Sequence, residues 1–138
     1  MATMHYIDLL PLREQSRGED CRDFVCRLNM RGNLSIDNAS ETAILVRALV
    51  QGGFTRIILN LENMNYVDST GIGTIIRIKK DLLNVNGDMV LCNVPPKVNE
   101  VLDLVNLKEF VKIFYSDQKA VEYLKNSQST AEPSAKAD

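Results

Sequence analysis

Asn60-Leu61-Glu62-Asn63-Met64-Asn65-Tyr66-Val67-Asp68-Ser69-Thr70-Gly71-Ile72-Gly73-Thr74-Ile75-Ile76 is the stretch from which the fold of this chain is read. Before it lies Arg56-Ile57-Ile58-Leu59, apolar on successive residues, as in a strand covered on both faces. After it, apolar residues recur at Ile72, Ile75, Ile76, Ile78, Leu82 and Leu83, the spacing of an amphipathic helix. Asp68-Ser69-Thr70-Gly71 stands where the strand gives way to the helix. A helix start carries unpaired N–H groups and the positive end of the helix dipole. A carboxylate or a phosphorylated hydroxyl is stabilised there. The junction therefore reads as a place where one hydroxyl can be switched by phosphate.

Working outward, His5 to Leu12 is predicted as an edge strand, with Pro11 suited to its end. In 22–31, Phe24, Cys26, Leu28 and Met30 alternate with Val25, Arg27, Asn29 and Arg31, a strand with one buried face closed by Gly32-Asn33. Asp37 to Gln51 reads as a helix with Ala39, Ala43, Val46, Leu49 and Val50 inward. Asp37 or Asn38 can cap it, and Gly52-Gly53 ends it. The central strand is placed at 55–61 and the next helix from Thr70 to Val85, its outer face carrying Thr74, Arg77, Lys80, Asp81 and Asn84. Met89 to Cys92 reads as another central strand, 97–105 as a short helix, Phe110 to Tyr115 as a strand and Asp117 to Lys125 as a last helix. Residues 127–138 are polar with one proline and are expected to be a disordered tail, leaving 1–126 as one domain. This order predicts an α/β fold: a mixed β-sheet of about five strands with about four helices packed mainly on one side.

Composition narrows the function classes. The 138 residues are 45% hydrophobic and 25% charged, with a net charge of −2. Nucleic-acid binding has no electrostatic support in such a chain. No apolar run approaches the ~18–20 residues of a membrane helix, and Met1 to Leu12 lacks the pattern of a signal peptide. No membrane partner and a cytoplasmic location are the expectations. Cys21, Cys26 and Cys92 are an odd count without metal spacing. Cys21 and Cys26 are placed on opposite faces of one strand, and all three thiols are expected to be buried and reduced. A single histidine, His5, cannot build a histidine-based triad or a zinc site. Gly71-Ile72-Gly73 lacks the third glycine of a dinucleotide loop and the lysine of a P-loop. Only Asp68 and Ser69 come together at the junction, so no cofactor and no catalysis are expected.

The order of these motifs resembles the STAS domain and, within it, the bacterial anti-sigma factor antagonists. The likeness spans residues 20–125 and rests on four pieces. They are the strand Ile57 to Leu61, the turn Tyr66-Val67-Asp68-Ser69-Thr70-Gly71-Ile72-Gly73, the strand Gly87 to Cys92, and the run Val101 to Leu107. The resemblance implies that Ser69, directly after the aspartate, is phosphorylated by a partner kinase that is also the anti-sigma factor, of the histidine-kinase-like ATPase class. The unphosphorylated protein would sequester that kinase, phosphorylation would release it, and a metal-dependent serine phosphatase would restore it. Thr70 is the rival acceptor. Asp68 reads as a helix cap, or as a group that also helps the kinase at the neighbouring serine. Gly71 and Gly73 either allow helix and sheet to approach closely or keep the surface open to the partner. Thr74 and Arg77 extend the expected partner-binding surface along the helix, and Asn33 and Ser35 extend it across the turn Gly32-Asn33-Leu34-Ser35. Family members commonly carry a Gly-Glu-Leu-Asp-like turn there, and both carboxylates are absent here. Two further readings stay open: the same switch with an output in secretion, motility or biofilm formation, and a small-ligand module with 62–70 as its pocket rim.

Overall fold

Strands β1 (Met4–Pro11), β2 (Phe24–Leu34), β3 (Arg56–Val67), β4 (Asp88–Cys92) and β5 (Ile113–Phe114) form one sheet in the order of the chain. The computed structural model describes residues 4–12 and 20–129. β1 lies antiparallel to β2, while β2 to β5 are mutually parallel. Parallel neighbours need crossovers, and crossovers are right-handed, so steps taken always in one direction place every connecting helix on one face. Helices α1 (Ala39–Gln51), α2 (Ser69–Asn84) and α3 (Pro96–Leu104) accordingly share the main core. Helix α4 (Asp117–Ser129) follows the last strand and closes no crossover. It packs Ala120 and Leu124 on the opposite face, with Val25, Ile58, Val90 and Cys92. This is the mixed sheet with helices mainly on one side that the element order predicts.

The differences from the sequence reading lie at second faces and element ends. β2 is buried on both sides, because α4 covers Val25 while Asn29 enters a polar ladder. In that ladder Asp8 accepts from Arg27 at 2.6 Å and from Asn29 at 3.0 Å, Asn60 donates to Asn29 at 2.7 Å, and Asn93 donates to Asn60 at 3.2 Å. Arg27 also pairs with Asp117 at the start of α4. Hydrogen bonds from Arg27 and Asn29 hold the Asp8 carboxyl below the usual carboxylate range. β3 does not stop at 61. Its far half pairs with β2, Met64 opposite Gly32 and Val67 opposite Leu34, so the expected pocket rim 62–70 is strand as far as Val67. Cys21 lies in a single turn of 3-10 helix, Cys21–Asp23, and is partly exposed, not on the strand with Cys26. Burial pushes the Cys26 and Cys92 thiols up to about 11. The predicted strand at Phe110 to Tyr115 shrinks to Ile113–Phe114, behind a second 3-10 turn, Leu107–Glu109. α4 continues past Lys125 to Ser129, and the expectation of disorder beyond it falls on 130–138, outside the described residues.

Helix α2 shows the largest change of face. Its buried side is Gly71, Ile72, Thr74, Ile75, Ile78, Lys79 and Leu82. Thr74, expected outside, is buried, and its hydroxyl donates to the Thr70 carbonyl at 2.9 Å. Leu83, expected inside, is 46% exposed. Lys79 stands four residues after Ile75 and three before Leu82, a core position, and its ammonium is paired with the buried Asp88 at the start of β4. Among the described residues no helix is long and apolar enough to cross a membrane.

Candidate functional site

The site is built where β2 and β3 run out side by side. Asp68 leaves β3 in an extended conformation (φ −104°, ψ −173°) and caps α2. Its Oδ1 accepts from the Gly71 N–H at 2.9 Å. Its Oδ2 accepts from the Ile36 N–H at 3.1 Å, across in the turn that follows β2. The Asp68 N–H donates to the Leu34 carbonyl at 3.2 Å, and its own carbonyl accepts from Ile72 at 2.9 Å. One aspartate thus ties the helix start to the neighbouring turn. Both its carboxylate oxygens meet backbone N–H groups, the geometry of a cap.

Ser69 is the first residue of α2 and Thr70 the second. Both are exposed, and neither hydroxyl has a hydrogen bond among the described residues. A phosphate on either would stand at the end of a helix whose first N–H groups have no carbonyl four residues back.

The two glycines differ. A Cβ on Gly71 would lie 2.3 Å from the Leu34 carbonyl oxygen and 2.7 Å from Val67 Cγ2. Only glycine lets α2 begin so close to the sheet. Among the described residues a Cβ on Gly73 would meet nothing within 4 Å, and Gly73 is exposed. The close approach therefore belongs to Gly71 and the open surface to Gly73.

The turn brings Asn33 and Ser35 to the same end. The Asn33 carbonyl accepts from Asn38 Nδ2 at 2.7 Å, and the Ser35 N–H donates to Asn38 Oδ1 at 2.9 Å. Asn38 is the residue before α1 and its side chain makes no cap bond to that helix; it ties the turn instead. Ile36, at the turn's tip beside Asp68, is 73% exposed. Asp68, Ser69, Thr70, Gly73, Asn33 and Ser35 are thus gathered on one edge. Gly71 and Thr74 lie mostly beneath it, and Arg77 stands exposed two turns along α2.

A profile of the STAS domain matches residues 20–120 of this sequence. The chain belongs to the STAS domain family. This STAS domain is 31% identical, over 62% of its own length and 71% of the other, to BtrV of Bordetella bronchiseptica, a protein named as a candidate anti-sigma factor antagonist. It is 24% identical to the anti-sigma-B factor antagonist of Staphylococcus aureus, over 67% of this chain and 85% of that one. Its backbone superposes with a TM-score of 0.69 on a candidate anti-sigma factor antagonist from Thermotoga maritima, at 30% identity, covering 73% of this chain and 87% of the other.

The sequence reading missed Ile44 and Arg47 on α1. They line a surface groove of about 520 Å³ between α1 and α2, together with Thr70, Gly73 and Arg77. The available signal was Ile44 itself, an isoleucine outside the apolar stripe of α1 and 62% exposed. It also missed Lys79 and Asp88, because a lysine at a core position looks like an interruption until its buried partner is known.

Proposed function

We infer that this STAS domain is an anti-sigma factor antagonist that works by partner switching. In its unphosphorylated form it binds an anti-sigma factor that is also a serine kinase of the histidine-kinase-like ATPase class. Phosphorylation of Ser69 releases that kinase, and a metal-dependent serine phosphatase restores the binding form. The chain serves as substrate and binder and does no chemistry itself. The observation that carries this reading is the placement of Ser69: exposed, first in α2, and held in a surface that Asp68 fastens to the turn at Leu34 and Ile36. The 31% identity to BtrV supports it.

The physical argument for a switch is local. A phosphoserine adds about −1.5 to −2 charge. The helix start tolerates that charge, so the fold survives. A partner surface fitted to a neutral hydroxyl has to desolvate the added charge without a matching pair, which is costly. Asp68, already negative and held by two backbone bonds, deepens the mismatch on the same edge.

The test uses the histidine-kinase-like ATPase encoded nearest to this gene in its genome. Incubated with it and ATP, the protein should gain one phosphate by mass spectrometry. Ser69→Ala should gain none, and Thr70→Ala should still gain one. The reverse pattern would move the acceptor to Thr70. Ser69→Asp should melt like the parent and bind the kinase more weakly.

A further inference from the structure

The groove between α1 and α2 is chemically unbalanced. Its upper hollow starts at Thr70, beside Ser69, passes over Ala43 and Gly73, and ends at Arg47 and Arg77. A lower hollow continues from the same two arginines toward Val85. Arg47 of α1 and Arg77 of α2 therefore line both hollows. Both are exposed, and neither has a hydrogen bond or ion pair among the described residues. Asp81, one turn beyond Arg77, lines the lower hollow, whereas among the described residues no acidic side chain lines the upper one. Ile44 adds an exposed apolar wall on the α1 side.

Arg47 and Arg77 both line the groove, so an anion seated in it meets two positive charges. Arginine offers a planar fork of donors that suits a carboxylate held in two bonds. The fold does not need the space: a Cβ on Gly73 would meet nothing within 4 Å.

We propose that the upper hollow is a docking groove for an acidic segment of the partner kinase. An aspartate or glutamate of that segment lies between Arg47 and Arg77, and an apolar neighbour packs on Ile44. The proposal rests on the reading of Ser69 as the kinase's substrate, and it names the chemistry the kinase brings to that site. The hollow opens at Thr70, so a segment seated in it holds the kinase over Ser69. Docking and phosphorylation then share one surface, and a phosphate on Ser69 acts at the mouth of the groove.

The experiment uses the full chain and the same kinase. The Kd and the initial phosphorylation rate are measured for the parent, Arg47→Glu and Gly73→Gln, at low and high salt, with a thermal melt of each variant. Arg47→Glu should weaken binding at least tenfold and flatten its salt dependence. Gly73→Gln alters no charge, fills the hollow and should melt no lower than the parent, yet lose affinity to a similar extent. Replacing one kinase carboxylate by arginine should restore binding to Arg47→Glu and weaken binding to the parent. Parent-like Kd and rate in folded Arg47→Glu and Gly73→Gln would overturn the groove and leave Ser69 as the substrate. A parent chain that the kinase neither binds nor phosphorylates would overturn the reading of Ser69 and the groove with it.

Discussion

The first turn of α2 and its third turn are held by different forces. At the start Asp68 accepts from the Gly71 and Ile36 N–H groups and Gly71 lies close on Leu34 and Val67, while the exposed hydroxyls of Ser69 and Thr70 make no hydrogen bond among the described residues. Further along, Lys79 reaches under the helix to Asp88, with both side chains less than a tenth exposed. Its ammonium also approaches the Met89 carbonyl at 3.4 Å, and Asp88 accepts from the Met89 N–H at 2.7 Å. The buried face, from Gly71 and Ile72 to Lys79 and Leu82, fixes where the helix lies. The exposed hydroxyls at its start stand outside that face. A modification site on a helix that could shift would change shape and charge together; the phosphate proposed for Ser69 would change the charge on a frame that stays still.

The sharpest way to break this contrast is to remove one member of the buried pair. Lys79→Ala removes the ammonium that faces the buried Asp88 carboxylate and should cost about 3–5 kcal/mol in urea unfolding. The double replacement Lys79→Met with Asp88→Leu should recover most of that loss. A single variant that unfolds with the parent would show that the pair is not the anchor. Second is Gly71→Ala, which drives a methyl into the Leu34 carbonyl and should cost ~1–3 kcal/mol, as overpacking does. Loss of helix–sheet spacing should also slow Ser69 phosphorylation, whereas Lys79→Ala should leave the rate on folded molecules unchanged.

Third, Asp68→Ala removes the cap and the tie to Ile36, for about 0.5–2 kcal/mol by denaturant titration. Asp68→Asn keeps an acceptor for the Gly71 N–H and removes the charge. Parent-like stability with a changed phosphorylation rate in Asp68→Asn would assign the carboxylate a part in the kinase reaction; equal rates would leave it a cap. The smallest effect belongs to Gly73→Ala, which meets no atom and should stabilise the helix by up to about 1 kcal/mol. A drop in melting temperature there would mean that the open hollow is closed in solution.

Much of this was legible in the chain. The junction at Asp68 could be recognised because capping is local: an aspartate, a small residue three positions on and an apolar period of 3.6 are all within reach of a short window. The order of the elements along the chain followed from alternation of apolar runs and helices. The second face of β2 could not be read, because Arg27 and Asn29 look solvent-facing until Asp8, Asp117 and Asn60 arrive from distant parts of the chain. β3 looked finished at 61 because polar Glu62, Asn63 and Asn65 follow, yet its edge partner there is β2, and backbone pairing does not need apolar side chains.

By itself the sequence determined the kinds of element, their order, and the chemical character of the turn at Asp68-Ser69-Thr70-Gly71. These depend on neighbours within a few residues. Tertiary structure alone decided which glycine is needed for the close approach of helix to sheet, that Thr74 and Lys79 are covered while Leu83 is not, and that Arg47 and Arg77 line one groove. Periodicity says which residues share a side of a helix; only the packing of one element on another says which side meets the sheet, and which meets nothing.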